Sequence, residues 1–200
     1  MMRKYISGLI LGAGSSQRLG QPKQLLPFRG TTLLGWVVDQ VQQANCLDEV
    51  VVVLGRAGTE IQEQVDFGQL KVTENPVFAE GCASSYRAGI AAAHPDCEAI
   101  MIILGDQPGI TSAIIDRVAE EWRQHESPIA LCSYRGRLGH PMVFAKALFA
   151  QLAELHGDKA AWKLVDAHGS LVQLVQFDLP LPADINTMSD FQQLESASSL

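Results

Sequence analysis

The chain has 200 residues, 47% of them hydrophobic, enough to bury the core of one α/β domain but short for two, so a single domain over 1–200 is expected. A formal net charge of −7 and a pI near 5.2 argue against DNA or RNA as a partner, because nucleic-acid binding leaves a basic stripe on a protein; a small anion held by a few local cations remains compatible. Cys46, Cys82, Cys97 and Cys132 form no C-x-x-C pair, which indicates neither zinc site nor disulfide framework and fits a reduced, cytoplasmic setting, and no apolar stretch has the length of a secretory signal or a membrane helix.

The first predicted strand, 5–11, runs into the glycine-rich stretch LILGAGSSQRLGQPKQLLPFRG. A P-loop pattern fails there because Gly20 is followed by Gln21 and Pro22, and a dinucleotide fingerprint fails because Gly12-Ala13-Gly14 leads into Ser15, Ser16 and Gln17. What remains is a strand, a turn with two glycines, and Arg18 and Lys23 in a polar loop that Pro22 and Pro27 keep from becoming a helix. Two cations beside exposed amides suit a triphosphate held by side chains; a surface turn with solvated charges has the same pattern.

Helical periodicity then predicts a helix at 32–44, followed by a strand at 50–54, a helix at 59–64 and a strand at 70–73. The next helix, 83–93, opens in EGCASSYRAGI, where Gly81, Ser84 and Ser85 offer an anion site at a helix start or ordinary N-capping. The strand 99–104 ends in LGDQPGI, so Asp106 should stand at the sheet edge, as a metal ligand or as a plain turn residue. Further on come a helix at 112–125, strands at 129–133 and 142–144, a helix at 145–155, a helix at 159–167, a strand at 171–177 and a helix at 189–194. In RGRLGHPMVF, Gly139, His140 and Pro141 fall at a strand entrance; His140 has the chemistry to bond a substrate or titrate near neutrality, or is incidental. In HGDKAAWKL, Asp158 and Lys159 open a helix, and in PADINTMSDF, Asp184 precedes a helix start that Thr187 and Asp190 can cap.

Strands and helices alternate, and runs such as EVVVVLG and AIMIILG have no polar face. The pattern predicts a mostly parallel sheet with helices on both faces and its ligands at the carboxyl edge. A bound triphosphate would call for a divalent cation on oxygen ligands.

The stretch AGSSQRLGQPKQLLPFRGTTLL resembles the A-G-x-x-x-R-[ML]-G-x-x-K signature of the MobA-like nucleotidyltransferases; LGDQP resembles their L-x-D-x-P metal motif, and DINT their D-I/V-D-T-P-E-D segment, from which Asn186 and Met188 depart. The resemblance implies a Rossmann-like three-layer sandwich of the nucleotide-diphospho-sugar transferase type. It further implies catalytic Arg18, Lys23 and Asp106, nucleotide contacts from Leu11, Gly12, Ala13, Gly14, Arg18, Lys23, Ser84 and Asp106, and Mg²⁺, or alternatively Mn²⁺, on Asp106 and Asp184. G-x-x-S-S, G-H-P and G-D-K are similar to the branch of molybdenum cofactor cytidylyltransferases and the accessory proteins of xanthine and carbon monoxide dehydrogenases. That branch implies substrate contacts from Gly81, Ser85, Gln107, Gly139, His140, Pro141, Asp158 and Lys159, with transfer of CMP from CTP to molybdopterin. Ala13-Gly14 and Pro22-Lys23 favour CTP over GTP, whereas Gly12 replaces an alanine of the cytidylyl branch. Transient contact with a molybdoenzyme or cofactor carrier is a further expectation. The alternatives are a guanylyltransferase, a sugar- or methylerythritol-phosphate nucleotidyltransferase, and a non-catalytic molybdopterin chaperone.

Overall fold

The computed structural model of the chain describes residues 3–14, 16, 19–157 and 159–198. Strand β1 (Ile6–Gly12) leads through the glycine-rich loop and a 3-10 turn over Lys23–Leu25 to a small hairpin, β2 (Pro27–Phe28) and β3 (Thr31–Thr32). Helix α1 (Leu33–Gln42), β4 (Glu49–Leu54), α2 (Gly58–Gln64), β5 (Lys71–Glu74), α3 (Cys82–Ala92), β6 (Ala99–Leu104) and α4 (Ser112–His125) follow. The remainder is β7 (Ile129–Tyr134), β8 (Arg137–Ala145), α5 (Phe149–Glu154), α6 (Ala160–His168), β9 (Val172–Phe177) and α7 (Met188–Ser198).

Seven strands form one sheet in the order β5-β4-β1-β6-β8-β7-β9. The pairings β1 with β4 and β6, β4 with β5, and β7 with β9 are parallel, while β8 runs antiparallel to both neighbours. Alternation along each strand divides the apolar residues between two cores, since successive side chains point to opposite faces. Ile10, Val52, Met101 and Val143 pack with α1 and α4 residues such as Val38, Ile115 and Trp122. Leu9, Val51, Ile102 and Phe144 pack with Tyr86 of α3, Leu152 of α5 and Leu164 of α6. Covered on both faces, β4 and β6 need no polar side, which is why their sequences read as continuous apolar runs.

Two threonines start the helices over the first core. Thr32 accepts from Gly35 N at 3.0 Å to begin α1, and Thr111 accepts from Ile114 N at 3.4 Å to begin α4. A third, smaller core joins Leu26, Phe28 and Leu33 to Ile185 and Phe191, so the segment before α7 is packed onto the loop after β1.

The expected elements are present; the hairpin β2-β3 is an addition that the sequence pattern did not predict, and two other elements differ in extent. The strand expected at 142–144 is the end of a longer strand, β8, that turns back on β7 through Arg135 and Gly136, with φ of 47° and 83°. The helix expected from 145 begins only at Phe149, because Ala145 is still paired with Ala99 in the sheet. Among the described residues no helix is long and apolar enough to cross a membrane.

Candidate active site

At the carboxyl edge of β1 and β6 lies a cleft of about 520 Å³, bounded by the turn Gly12–Gly14, Lys23, Asp106, Asn186 and the start of α3. Loop contacts shape it. A Cβ at Gly55, just past β4, would meet the Ala13 carbonyl oxygen at 2.7 Å, so only glycine lets that loop lie against the turn. Gln24, 3% exposed, donates through Nε2 to the carbonyls of Gly12 at 2.6 Å and Gly14 at 3.1 Å. Ser16 Oγ accepts from Lys23 N at 2.9 Å and donates to Gln24 Oε1 at 3.3 Å, fixing where the lysine leaves the backbone. Gly81, with φ of 97°, is the residue before α3 and lines the cleft beside Cys82 and Ser85.

Polar chemistry gathers on one side. Lys23 Nζ forms an ion pair with Asp106 Oδ2 and donates to Asn186 Oδ1 at 3.1 Å. The segment 184–186 reaches this place because Ile185 is fully buried in the third core and its N–H donates to Asp106 O at 3.1 Å. Neighbours of a buried residue in extended chain point the other way, which turns Asp184 and Asn186 outward. Asp190 closes the segment: its Oδ2 accepts from Asn186 N and Thr187 N at 3.0 and 2.7 Å, and its own N–H donates to Thr187 Oγ1 at 3.2 Å. This is the expected capping box.

Asp184 is held by Gln107, whose Nε2 donates to its Oδ1 at 2.5 Å. Desolvation first, and the Asp106 carboxylate second, raise the Asp184 pKa above its ordinary value; the Gln107 bond and Lys23 pull it back. Among the described residues no group of three or more His, Cys, Asp or Glu side chains is arranged around a metal position. Asp106 at the cleft, with the Asp184 carboxylate near enough to feel its charge, still fits a hard divalent ion, since Mg²⁺ typically takes one or two protein carboxylates and completes its shell with substrate phosphates and water.

Of the residues singled out in the sequence, Leu11, Gly12, Ala13, Gly14, Lys23, Gly81, Ser85 and Asp106 line this cleft. Arg18 and Asp158 lie outside the described residues. Ser84 points elsewhere: its Oγ accepts from Asn75 Nδ2 at 2.8 Å and donates to Gly81 O at 2.7 Å, so it ties the start of α3 to the preceding loop. Gln107 meets Asp184 rather than the cleft, and Lys159 is the exposed residue before α6.

Gly139, His140 and Pro141 lie inside β8, not at its entrance, and all three are buried. A Cβ on Gly139 would strike Leu181 at 2.5 Å. The His140 ring meets Trp162 edge-on at 6.0 Å, and burial pushes its pKa down to about 4. The expectation that His140 titrates near neutrality is therefore corrected, because a desolvated imidazole stays neutral there. Two side chains of the cleft that make hydrogen bonds there, Asn186 and Gln24, were not expected from the sequence. Asn186 was visible only as a departure from a motif, and Gln24 carries no local pattern beyond its place after Lys23.

A doubly covered sheet whose glycine turn, Lys23, Asp106 and Asn186 converge at its carboxyl edge has the form of a nucleotidyltransferase of Rossmann-like fold. The chain belongs to the MobA-like NTP transferase family, matching that domain over residues 8–172. It is similar to nicotine blue oxidoreductase of Paenarthrobacter nicotinovorans, 32% identical over 94% of this chain and 96% of that protein. Molybdenum cofactor cytidylyltransferase of Escherichia coli K12 is 27% identical over 73% of each chain. Among solved structures, Rv0371c of Mycobacterium tuberculosis H37Rv is 36% identical with a TM-score of 0.89, covering 98% of this chain and 100% of that one. The same protein has also been solved in complex with manganese.

Proposed function

We propose that the protein transfers CMP from CTP to the terminal phosphate of molybdopterin and releases pyrophosphate, with the whole chain acting as one nucleotidyltransferase domain. The observation that carries this reading is the convergence of Lys23, Asp106 and Asn186 on a cleft floored by the Gly12–Gly14 turn. The similarity to the Escherichia coli cytidylyltransferase supports the choice of acceptor and base.

A phosphate oxygen of the acceptor attacks the α-phosphorus of CTP in line; one P–O bond forms, the bond to the β-phosphate oxygen breaks, and pyrophosphate leaves. No covalent enzyme intermediate is needed, because positioning and charge neutralisation supply most of the acceleration in such transfers. The amides of the glycine turn approach the phosphates. Lys23, with Arg18 as its expected partner, grips the triphosphate. Asp106 and Asp184 would hold Mg²⁺ or Mn²⁺, which supplies neutralisation of the charge on the phosphates. Gly81 and Ser85 at the start of α3 form the opposite wall. Molybdopterin reaches the cleft as a small molecule or by transient contact with a carrier.

The test crosses CTP, GTP and UTP with molybdopterin, sugar phosphates and methylerythritol phosphate and reads pyrophosphate. Release only with CTP and molybdopterin is expected. GTP preference makes the protein a guanylyltransferase, another acceptor makes it a different transferase of this fold, and molybdopterin binding without release makes it a chaperone. The 32% identity to nicotine blue oxidoreductase favours a second reading, an oxidoreductase acting on nicotine blue; turnover of nicotine blue with a redox cofactor, and no pyrophosphate from any pair, would establish it.

A further inference from the structure

The turn after β6 and the segment before α7 are stitched together twice. One stitch is the backbone bond from Ile185 N to Asp106 O at 3.1 Å. The other is the side-chain bond from Gln107 Nε2 to Asp184 Oδ1 at 2.5 Å. Gln107 is 4% exposed, and its Oε1 is buried without a hydrogen-bond partner. Such an acceptor costs free energy, and a structural glutamine would turn to satisfy it. Here turning the amide would set Oε1 against a carboxylate oxygen, acceptor on acceptor, so Asp184 dictates the orientation. The loop backbone fixes the residue itself: Gln107 N donates to Leu104 O at 3.3 Å, and Ile110 N donates to Gln107 O at 3.1 Å.

We propose that Gln107 is a positioning residue that holds the Asp184 carboxylate in register with Asp106 for a divalent ion, an inference that rests on reading those two aspartates as the metal holders. The choice of an amide has a chemical reason. A lysine at this place would neutralise Asp184 and compete with the ion, and a glutamate would add repulsion beside two carboxylates. An amide N–H orients the carboxylate without altering its charge and leaves its second oxygen available. Outer groups that orient a metal-binding carboxylate typically contribute about 10- to 100-fold in metal affinity.

The test measures Mn²⁺ binding to the nucleotide-free protein by the electron paramagnetic resonance of free Mn²⁺, together with thermal unfolding, for wild type, Gln107→Met, Asp184→Asn and the double variant. Methionine keeps the length and removes both the donor and the unpaired acceptor. The expected result for Gln107→Met is roughly tenfold weaker Mn²⁺ binding, an unfolding temperature unchanged or raised, and no further loss when it is added to Asp184→Asn, since the two residues act as one unit. Gln107→Asn, which keeps the amide but falls one methylene short, should show the same loss and covers the case of a methionine variant that does not fold. Wild-type binding in the Gln107 variants with weak binding in Asp184→Asn overturns the inference and leaves the metal reading intact. An equal additional loss in the double variant also overturns it. Unchanged Mn²⁺ binding in Asp184→Asn refutes the metal reading, and the inference with it.

Discussion

Lys23 sits between two kinds of oxygen, the carboxylate of Asp106 and the amide of Asn186, so its ammonium is already aimed across the cleft that the triphosphate would enter. Lys23→Met should lower kcat/KM for CTP by roughly a hundredfold, on the order of 3 kcal/mol of transition-state stabilisation, with circular dichroism unchanged; steady-state kinetics check this. His140 permits a prediction with a definite sign. Its pKa is about 6.5 when unfolded and about 4 in the fold, so the unfolded chain binds more protons between those values. The stability that a neutral buried His140 provides is full above pH 6.5 and is lost as pH falls toward 4. Urea unfolding at pH 7 and pH 5 should show wild type losing about 2 kcal/mol more than His140→Gln over that interval; equal losses would count against the burial argument. Lys23 and Asp106 were legible as cleft residues through the resemblance of AGSSQRLGQPK and LGDQP to family motifs, since by local pattern alone each also suits a surface turn. Asn186 was not, because its role is defined by its spatial neighbours Lys23 and Asp106 and not by its own chain surroundings.

Among the elements, the third core is the one that sets site geometry, since Ile185 and Phe191 dock onto Leu26, Phe28 and Leu33 and thereby carry Asp184 and Asn186 to the end of β6. Ile185→Ala should cost about 2–4 kcal/mol in urea unfolding, and the same variant should lose nucleotide turnover disproportionately, because the chain it frees bears the second carboxylate. The covered strands were readable from their continuous apolar runs, while the direction of β8 was not. An apolar triplet at 142–144 reads alike in either direction, and Arg135-Gly136 is not among the asparagine- or aspartate-glycine pairs that announce a hairpin. The late start of α5 has the same origin: strand pairing at Ala145 overrides the helical periodicity that includes it. Tertiary partners decide both points, and sequence periodicity does not contain them.

At the scale of the whole molecule, the sheet divides the labour. The loops after β1 and β6 bring together the glycine turn, the lysine and the Asp106 carboxylate, and the segment before α7 returns to add Asn186, so the cleft closes only when these distant parts of the chain meet. That arrangement predicts that the metal and nucleotide stabilise the fold together: Mn²⁺ plus CTP should raise the unfolding temperature more than the sum of either alone, as expected for ligands each of which strengthens the binding of the other. Charge neutralisation at Asp106 lies at the centre of the proposed chemistry. The measurement that tests it most directly follows the α-phosphate label of CTP onto molybdopterin in wild type and Asp106→Ala, with and without Mg²⁺. Labelled product and pyrophosphate are expected from wild type only when Mg²⁺ is present, and none from the folded variant; full transfer by Asp106→Ala, or transfer by wild type that is indifferent to Mg²⁺, would overturn the role of Asp106.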